Sequence, residues 1–213
     1  MNAIIGRKLG MTRIYDDNGH VIPVTVVEAG PCPVVQIRTG PDAAAVQLGF
    51  GAKKAKRTSK AAAKHAAAAG LESAPATLQE FPVNAEDVSQ LEPGTMVTVD
   101  VFAAGDRVKI TGTTKGRGFQ GVVKRHGFSG GPSTHGNTRY RRPGSLGPGT
   151  DPSRVIKGKK MPGQYGAVTH TEMGLRVVRV DVERNLLFIR GAVPGPTRGL
   201  ITVRKQQGAS RYA

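Results

Sequence analysis

Three groups of residues have the types and spacing that chemistry requires. Gly127-Phe128-Ser129-Gly130-Gly131 fits G-x-S-x-G, and Asp151 and His170 follow in hydrolase order. A nucleophile of that kind needs a buried strand before the serine and a helix after it. Gly130-Gly131-Pro132-Ser133 cannot start a stable helix, so the match reads as coincidence in a glycine-rich stretch. Gly116-Arg117-Gly118-Phe119-Gln120-Gly121 fits G-x-G-x-x-G, yet Lys124-Arg125-His126-Gly127 stands where a dinucleotide fold continues into an apolar helix. The later acidic residue of that fold is missing too, its region holding Arg139, Arg141 and Arg142. Backbone N–H groups and Lys/Arg brought close to phosphates is the better reading. His20, His65, His126, His135 and His170 show neither H-E-x-x-H spacing nor a carboxylate cluster, and Cys32 is the one cysteine. No catalytic residue, metal site, cofactor or disulfide framework is expected.

What remains is charge. The 213 residues carry 31 Lys+Arg against 15 Asp+Glu, a net +16, and the sequence pI is near 10.6. Such a balance calls for a polyanion as partner. Hydrophobic residues make up 38%, enough for a modest core, while 29 Gly and 14 Pro announce long turns or loops. No apolar run approaches the roughly 20 residues of a membrane span. The opening MNAIIGRKLGMTRIYDD lacks the greasy segment of a signal peptide. The expectation is a soluble protein of a reducing compartment, with no membrane partner.

The elements that must hold this charge read as short strands. Ile22, Val24 and Val26 alternate with Pro23 and Thr25; Val35 and Ile37, then Val46, Leu48 and Phe50, repeat the pattern. Met96 to Phe102, Val108 to Thr111, Leu175 to Val182, Leu186 to Ile189 and Leu200 to Val203 continue it. Spacing and β-branched content predict a mainly β protein built on a closed or nearly closed antiparallel barrel. One segment differs: Ser59 to Ala69, closed by Gly70, reads as a short alanine-faced helix with an N-cap and a C′ glycine. The division is a barrel body from 1–50, 95–125 and 165–213, a small helical insertion at 51–94, and an extended basic loop at 126–164.

Thr111 to Gly166 holds eleven Lys and Arg and a single acid, Asp151, so ten of the sixteen net charges sit there. From about His126 to Gln164 hydrophobic periodicity is almost absent, and a structureless stretch of that length is functional or disordered. Doubled back, it spans roughly 60 Å at about 3.3–3.6 Å per residue. Alone it cannot offset its ordering entropy and needs a partner. Phe119, His126, Phe128, His135, Tyr140 and Tyr165 are interleaved with Lys115, Arg117, Lys124, Arg125, Arg139, Arg141, Arg142 and Arg154, as base stacking beside phosphate binding requires. Lys157, Lys159 and Lys160 form a compact phosphate-binding cluster, and Lys53, Lys54, Lys56 and Arg57 crowd the approach to the short helix. RNA is favoured over DNA, since no recognition helix suits a major groove. Asn137 to Ser145, central in the segment, is expected at the arm's far end.

In order along the chain, several blocks then resemble one family. Gly6-Arg7-Lys8-Leu9-Gly10-Met11-Thr12 is similar to the opening of the universal large-subunit ribosomal protein L-three family, and Thr111 through Gly121, leading to Lys124-Arg125, to its central signature. Thr134-His135-Gly136, Arg142 to Gly147 and Asp151 to Gly163 resemble its extended loop, and Gly191 to Pro196 its closing block. The length resembles bacterial members. Lys109 stands where the signature usually has Asp or Asn, and Thr150 at the position of a glutamine methylated in some members, so that modification is not expected. The stretch from Gly163 to Thr169 is two residues shorter than the common bacterial form. The resemblance implies a structural constituent of the large ribosomal subunit that binds 23S-type rRNA, with Arg7 and Lys8 among its contacts. It further implies an outer barrel, a loop running toward the peptidyl-transferase centre, a role in early subunit assembly, and the ribosomal proteins L-fourteen and L-nineteen as neighbours. The setting implied is the cytoplasm.

Overall fold

The computed structural model describes residues 1–40, 44–83, 88 and 91–206, and divides the chain into two compact units. Unit 1 comprises Met1–Thr113 and Thr169–Ala213; unit 2 is Thr114–Val168.

In unit 1, β1 (Ala3–Tyr15), β2 (Val21–Ala29), β7 (Arg107–Thr113), β10 (Thr169–Asp181), β11 (Leu186–Arg190) and β12 (Leu200–Lys205) pair in a closed ring, β1-β12-β7-β10-β11-β2 and back to β1. All six pairings are antiparallel. Alternation of buried and more exposed residues, clearest in β7 and β11, drives this. In β12, Ile201 and Val203 turn inward and are buried, as are Val108 and Ile110 of β7 and Leu187 and Ile189 of β11. Gly6 lets β1 and β2 approach: a Cβ there would lie 2.6 Å from the Glu28 carbonyl.

A second sheet has the order β5-β4-β3-β6, from β3 (Cys32–Thr39), β4 (Ala44–Ala52), β5 (Pro75–Val83) and β6 (Met96–Val97). This corrects two expectations. Residues 32–50, assigned from sequence to the barrel body, pair outside the ring, and the 51–94 insertion contributes a full strand as well as a helix. Met96 to Phe102 is no continuous strand either: β6 stops at Val97 and a 3₁₀ turn occupies Val99–Val101. One apolar core nevertheless joins ring and sheet, with Val34, Val46, Leu48 and Phe81 in the same cluster as Ile4, Ile110, Leu187 and Ile201. The helix α1 (Lys60–Ala68) forms as its end signals require, the Ser59 hydroxyl accepting from the Ala62 N–H at 3.3 Å and Gly70 following at φ +72°.

Unit 2 has little regular structure. It contains a two-stranded ladder, β8 (Phe119–Gln120) with β9 (Gly163–Gln164), and the single-turn α2 (Val122–His126) closed by Gly127 in the left-handed region. Val122 is its one buried residue.

Candidate nucleic-acid interface

Unit 2 is a glycine-rich chain pinned at its base and open elsewhere. At the base, the Arg117 N–H donates to the Tyr165 carbonyl at 2.8 Å and the Tyr165 N–H to the Gly118 carbonyl at 3.0 Å. Gly166 is obligatory there, at φ +74° with the Lys115 carbonyl where a side chain would stand. The α2 turn then fastens the returning strand: Arg125 Nη1 donates to the Met161 carbonyl at 2.7 Å, and His126 Nε2 lies 3.1 Å from the same oxygen. Phe128 tilts against His126, ring centroids 6.2 Å apart. Arg125, His126 and Phe128 are therefore half-buried and part of the unit's own framework.

Beyond that clasp the turns are local. The Gly131 N–H reaches the Tyr140 carbonyl at 3.1 Å, and Asn137 both donates to the Pro132 carbonyl and accepts from the Arg139 N–H. His135 takes φ 59° in this turn. Phe128 to Gly131, Asn137, Arg139 and Arg142 to Gly144 line a shallow cleft of about 450 Å³. Further on, the Ser153 hydroxyl donates to the Thr150 carbonyl, and the Lys159 N–H to that of Ile156.

The electrostatics follow from what is missing. Of the eleven Lys and Arg side chains in unit 2, only Arg125 is half-buried; Lys115, Arg117, Lys124, Arg139, Arg141, Arg142, Arg154, Lys157, Lys159 and Lys160 are exposed. Among the described residues, the ion pairs are Arg38–Glu80, His170–Glu172 and Lys205–Asp106, none of them in unit 2. Uncompensated positive charge on a nearly coreless chain is an electrostatic footprint for phosphates. Aromatic faces accompany it. Phe119 is 76% exposed, Tyr140 is exposed, and the Arg117 guanidinium lies 5.2 Å from the Tyr165 ring centroid, a cation–π pair. Sequence reasoning passed over the exposed Leu146, Val155 and Ile156, which carry no charge and no periodicity.

In unit 1, Lys53 and Lys54 and the 3₁₀ turn bearing Lys56 and Arg57 are exposed, joined by exposed Lys60 and Lys64 of α1. Arg7 is also exposed, its guanidinium 5.7 Å over the Phe50 ring. Lys8 is different. It is buried in unit 1, its ammonium donating to the Val193 carbonyl at 2.8 Å and reaching that of Gly195 at 3.4 Å. Its ammonium holds the closing loop of the ring, a structural role beside the RNA contact expected of it.

The enzyme-like patterns dissolve. Ser129 is preceded by α2 rather than a strand and followed by no helix, and His170 bonds Glu172 at 3.0 Å. Cys32 is buried against the Ile5 carbonyl at 3.3 Å, and burial pushes its thiol up to about 11 despite that bond. Among the described residues no group of His, Cys, Asp and Glu could hold a metal ion, and no helix is long and apolar enough to cross a membrane.

Comparison with known proteins agrees in direction. The model of the family described as Ribosomal protein L3 matches residues 63–185. The large ribosomal subunit protein uL3 of Herpetosiphon aurantiacus is 46% identical, over 99% of both chains. That of Chromobacterium violaceum is 48% identical over 95% of each. That of an Azoarcus species is 48% identical over 95% of this chain and 96% of its own.

Proposed function

The chain belongs to the ribosomal protein L3 family, and from that premise we propose that unit 2 is the part that grips large-subunit rRNA. The protein is a structural component of the large ribosomal subunit and not an enzyme. The observation that carries the reading is the concentration of ten exposed, unpaired cations beside exposed Phe119 and Tyr140. Cations neutralise successive phosphates, and the rings stack on unpaired bases. The basic cluster around α1 is a second, smaller phosphate-binding surface. Ordering of unit 2 by RNA accounts for an early place in subunit assembly, because the protein and the RNA it binds fix each other. Asn137 to Ser145 forms the inward end, near the peptidyl-transferase centre and outside it, with L-fourteen and L-nineteen as protein neighbours.

The test is the salt dependence of binding to a large-subunit rRNA fragment. Each neutralised phosphate contributes about 0.7–0.9 to the log–log slope. Lys159→Ala with Lys160→Ala lowers that slope by roughly one to two. An unchanged slope in filter binding refutes their role.

A further inference from the structure

One surface of unit 1 has a different character from everything above. A cleft of about 570 Å³ is walled by Pro31, Pro33, Pro75, Phe50, Leu71 and Met96, and carries the carboxylates of Glu28 and Glu72. Met96 is 56% exposed there, with no apolar cover of its own. Two of its prolines are tightly packed from behind: a Cβ on the buried Gly49 would lie 2.6 Å from Pro75 Cγ and 3.3 Å from Pro33 Cγ. Prolines fix its backbone and present no N–H donors, so the cleft is rigid and offers few groups to phosphate oxygens. Arg7 is its one cation, and it lies over the Phe50 ring.

Arg7 and Glu28 face each other across β1 and β2, yet they form no ion pair. Neither do Glu28 and Glu72 with any other described cation. In a chain of net +16, a groove lined by two carboxylates without ion pairs against one cation has a local charge balance opposite to that of the chain. Its apolar, proline-lined walls suit an extended peptide, whose side chains fill shallow pockets at small entropic cost. We propose that this groove docks an extended Lys/Arg-bearing segment of a neighbouring protein, with its cations on Glu28 and Glu72 and its apolar side chains on Pro33, Leu71 and Met96. Electrostatic complementarity sets its specificity. The proposal rests on the ribosomal reading only for its setting.

The experiment places the photoreactive amino acid benzoylphenylalanine at Ser73, an exposed residue of the groove rim, in the full-length chain. Large subunits containing it are purified, irradiated and digested, and the crosslinked species are sequenced by mass spectrometry. The expected product is a protein peptide rich in Lys and Arg. Its yield falls at least about threefold in a Glu28→Gln, Glu72→Gln background, the effect of losing two partly exposed charge contacts. Crosslinks to RNA, or none, overturn the proposal, as does a protein crosslink indifferent to both substitutions. Should the double variant assemble poorly, Glu72→Gln alone, on an exposed loop residue, supplies the charge test. Incorporation of the protein into subunits is scored separately: its failure would count against the ribosomal reading, whereas a wrong crosslink in assembled subunits counts against the groove.

Discussion

The closing loop of the ring and the basic loop of unit 2 are both rich in glycine and proline, and both meet lysine, the first from strand β1 and the second from its own chain, yet the same side chain does opposite work in them. Lys8, beneath the closing loop, is desolvated and spends its donors on backbone carbonyls. Lys157, Lys159 and Lys160 are exposed, and their ammonium groups have no ion pair among the described residues. The difference lies in what surrounds them. Unit 1 buries Ile4, Ile110, Leu187, Ile189 and Ile201 completely or nearly so, and each such side chain is worth about 1.5–3 kcal/mol. Unit 2 buries Val122 alone. One region is held by its own core; the other must borrow its order from a ligand.

The strongest way to break that contrast is excision. Replacing Ser129–Lys160 with a short Gly/Ser linker keeps the β8–β9 ladder and the Met161 carbonyl that Arg125 and His126 hold. It removes Arg139, Arg141, Arg142, Arg154, Lys157, Lys159 and Lys160. Affinity for the rRNA fragment should fall about 100-fold or more at moderate salt. Thermal unfolding followed by circular dichroism should stay cooperative and nearly unshifted, since long loops contribute little packing. Loss of the β signal would mean that the loop belongs to the core.

Much of this contrast is legible in residue order, and the exceptions have physical causes. The ring strands announce themselves because Val108, Ile110, Ile201 and Val203 recur at period two. The α1 helix is legible from Ser59 and Gly70, and the nearly coreless, basic character of unit 2 from charge and glycine alone. Strand β5 is hidden because its pattern is inverted. Thr77 and Gln79 sit half-buried on one side while Leu78 is exposed on the other, and Pro75 and Pro82 suit only an edge strand. Thr77 and Gln79 line a cleft with Thr111, Thr113, Thr169 and Thr202 as well as Ile5, Leu200 and Ile201, so the inward side of β5 itself carries polar residues that hydrophobic periodicity does not register. The first half of β10, Thr169 to Gly174, is exposed and holds one large apolar residue, Met173, which leaves periodicity nothing to register. The burial of Lys8 is not legible because a basic residue in a basic protein carries no mark of burial; only the position of the Val193 and Gly195 carbonyls reveals it.

Lys8 gives the next test. Lys8→Met keeps the aliphatic stem and removes the donors, leaving carbonyls of Val193 and Gly195 without this partner. Stability should drop by about 1–3 kcal/mol, read as a lower urea midpoint with unchanged m-value. The salt slope of RNA binding should not move. A lower slope at unchanged stability would place Lys8 in the RNA-contacting set.

The smallest expected effect is the most discriminating, because it separates stacking from charge inside unit 2. Phe119 is 76% exposed on a two-residue strand and is neutral. Its loss can neither release a counterion nor open a cavity. Base–aromatic stacking is worth about 1–3 kcal/mol per base, and a lone ring should fall at the lower end, near 1 kcal/mol or roughly fivefold in affinity. Phe119→Ala should therefore weaken rRNA-fragment binding by that factor at every salt concentration, giving a parallel displacement of the log–log line. Phe119→Trp, a ring of larger face, should restore it. Thermal stability should be unaltered in both. A changed slope would show that Phe119 orients neighbouring Lys115 and Arg117 instead of stacking. Unaltered affinity in Phe119→Ala would leave the exposed ring without a role in RNA binding and reduce unit 2 to electrostatics alone.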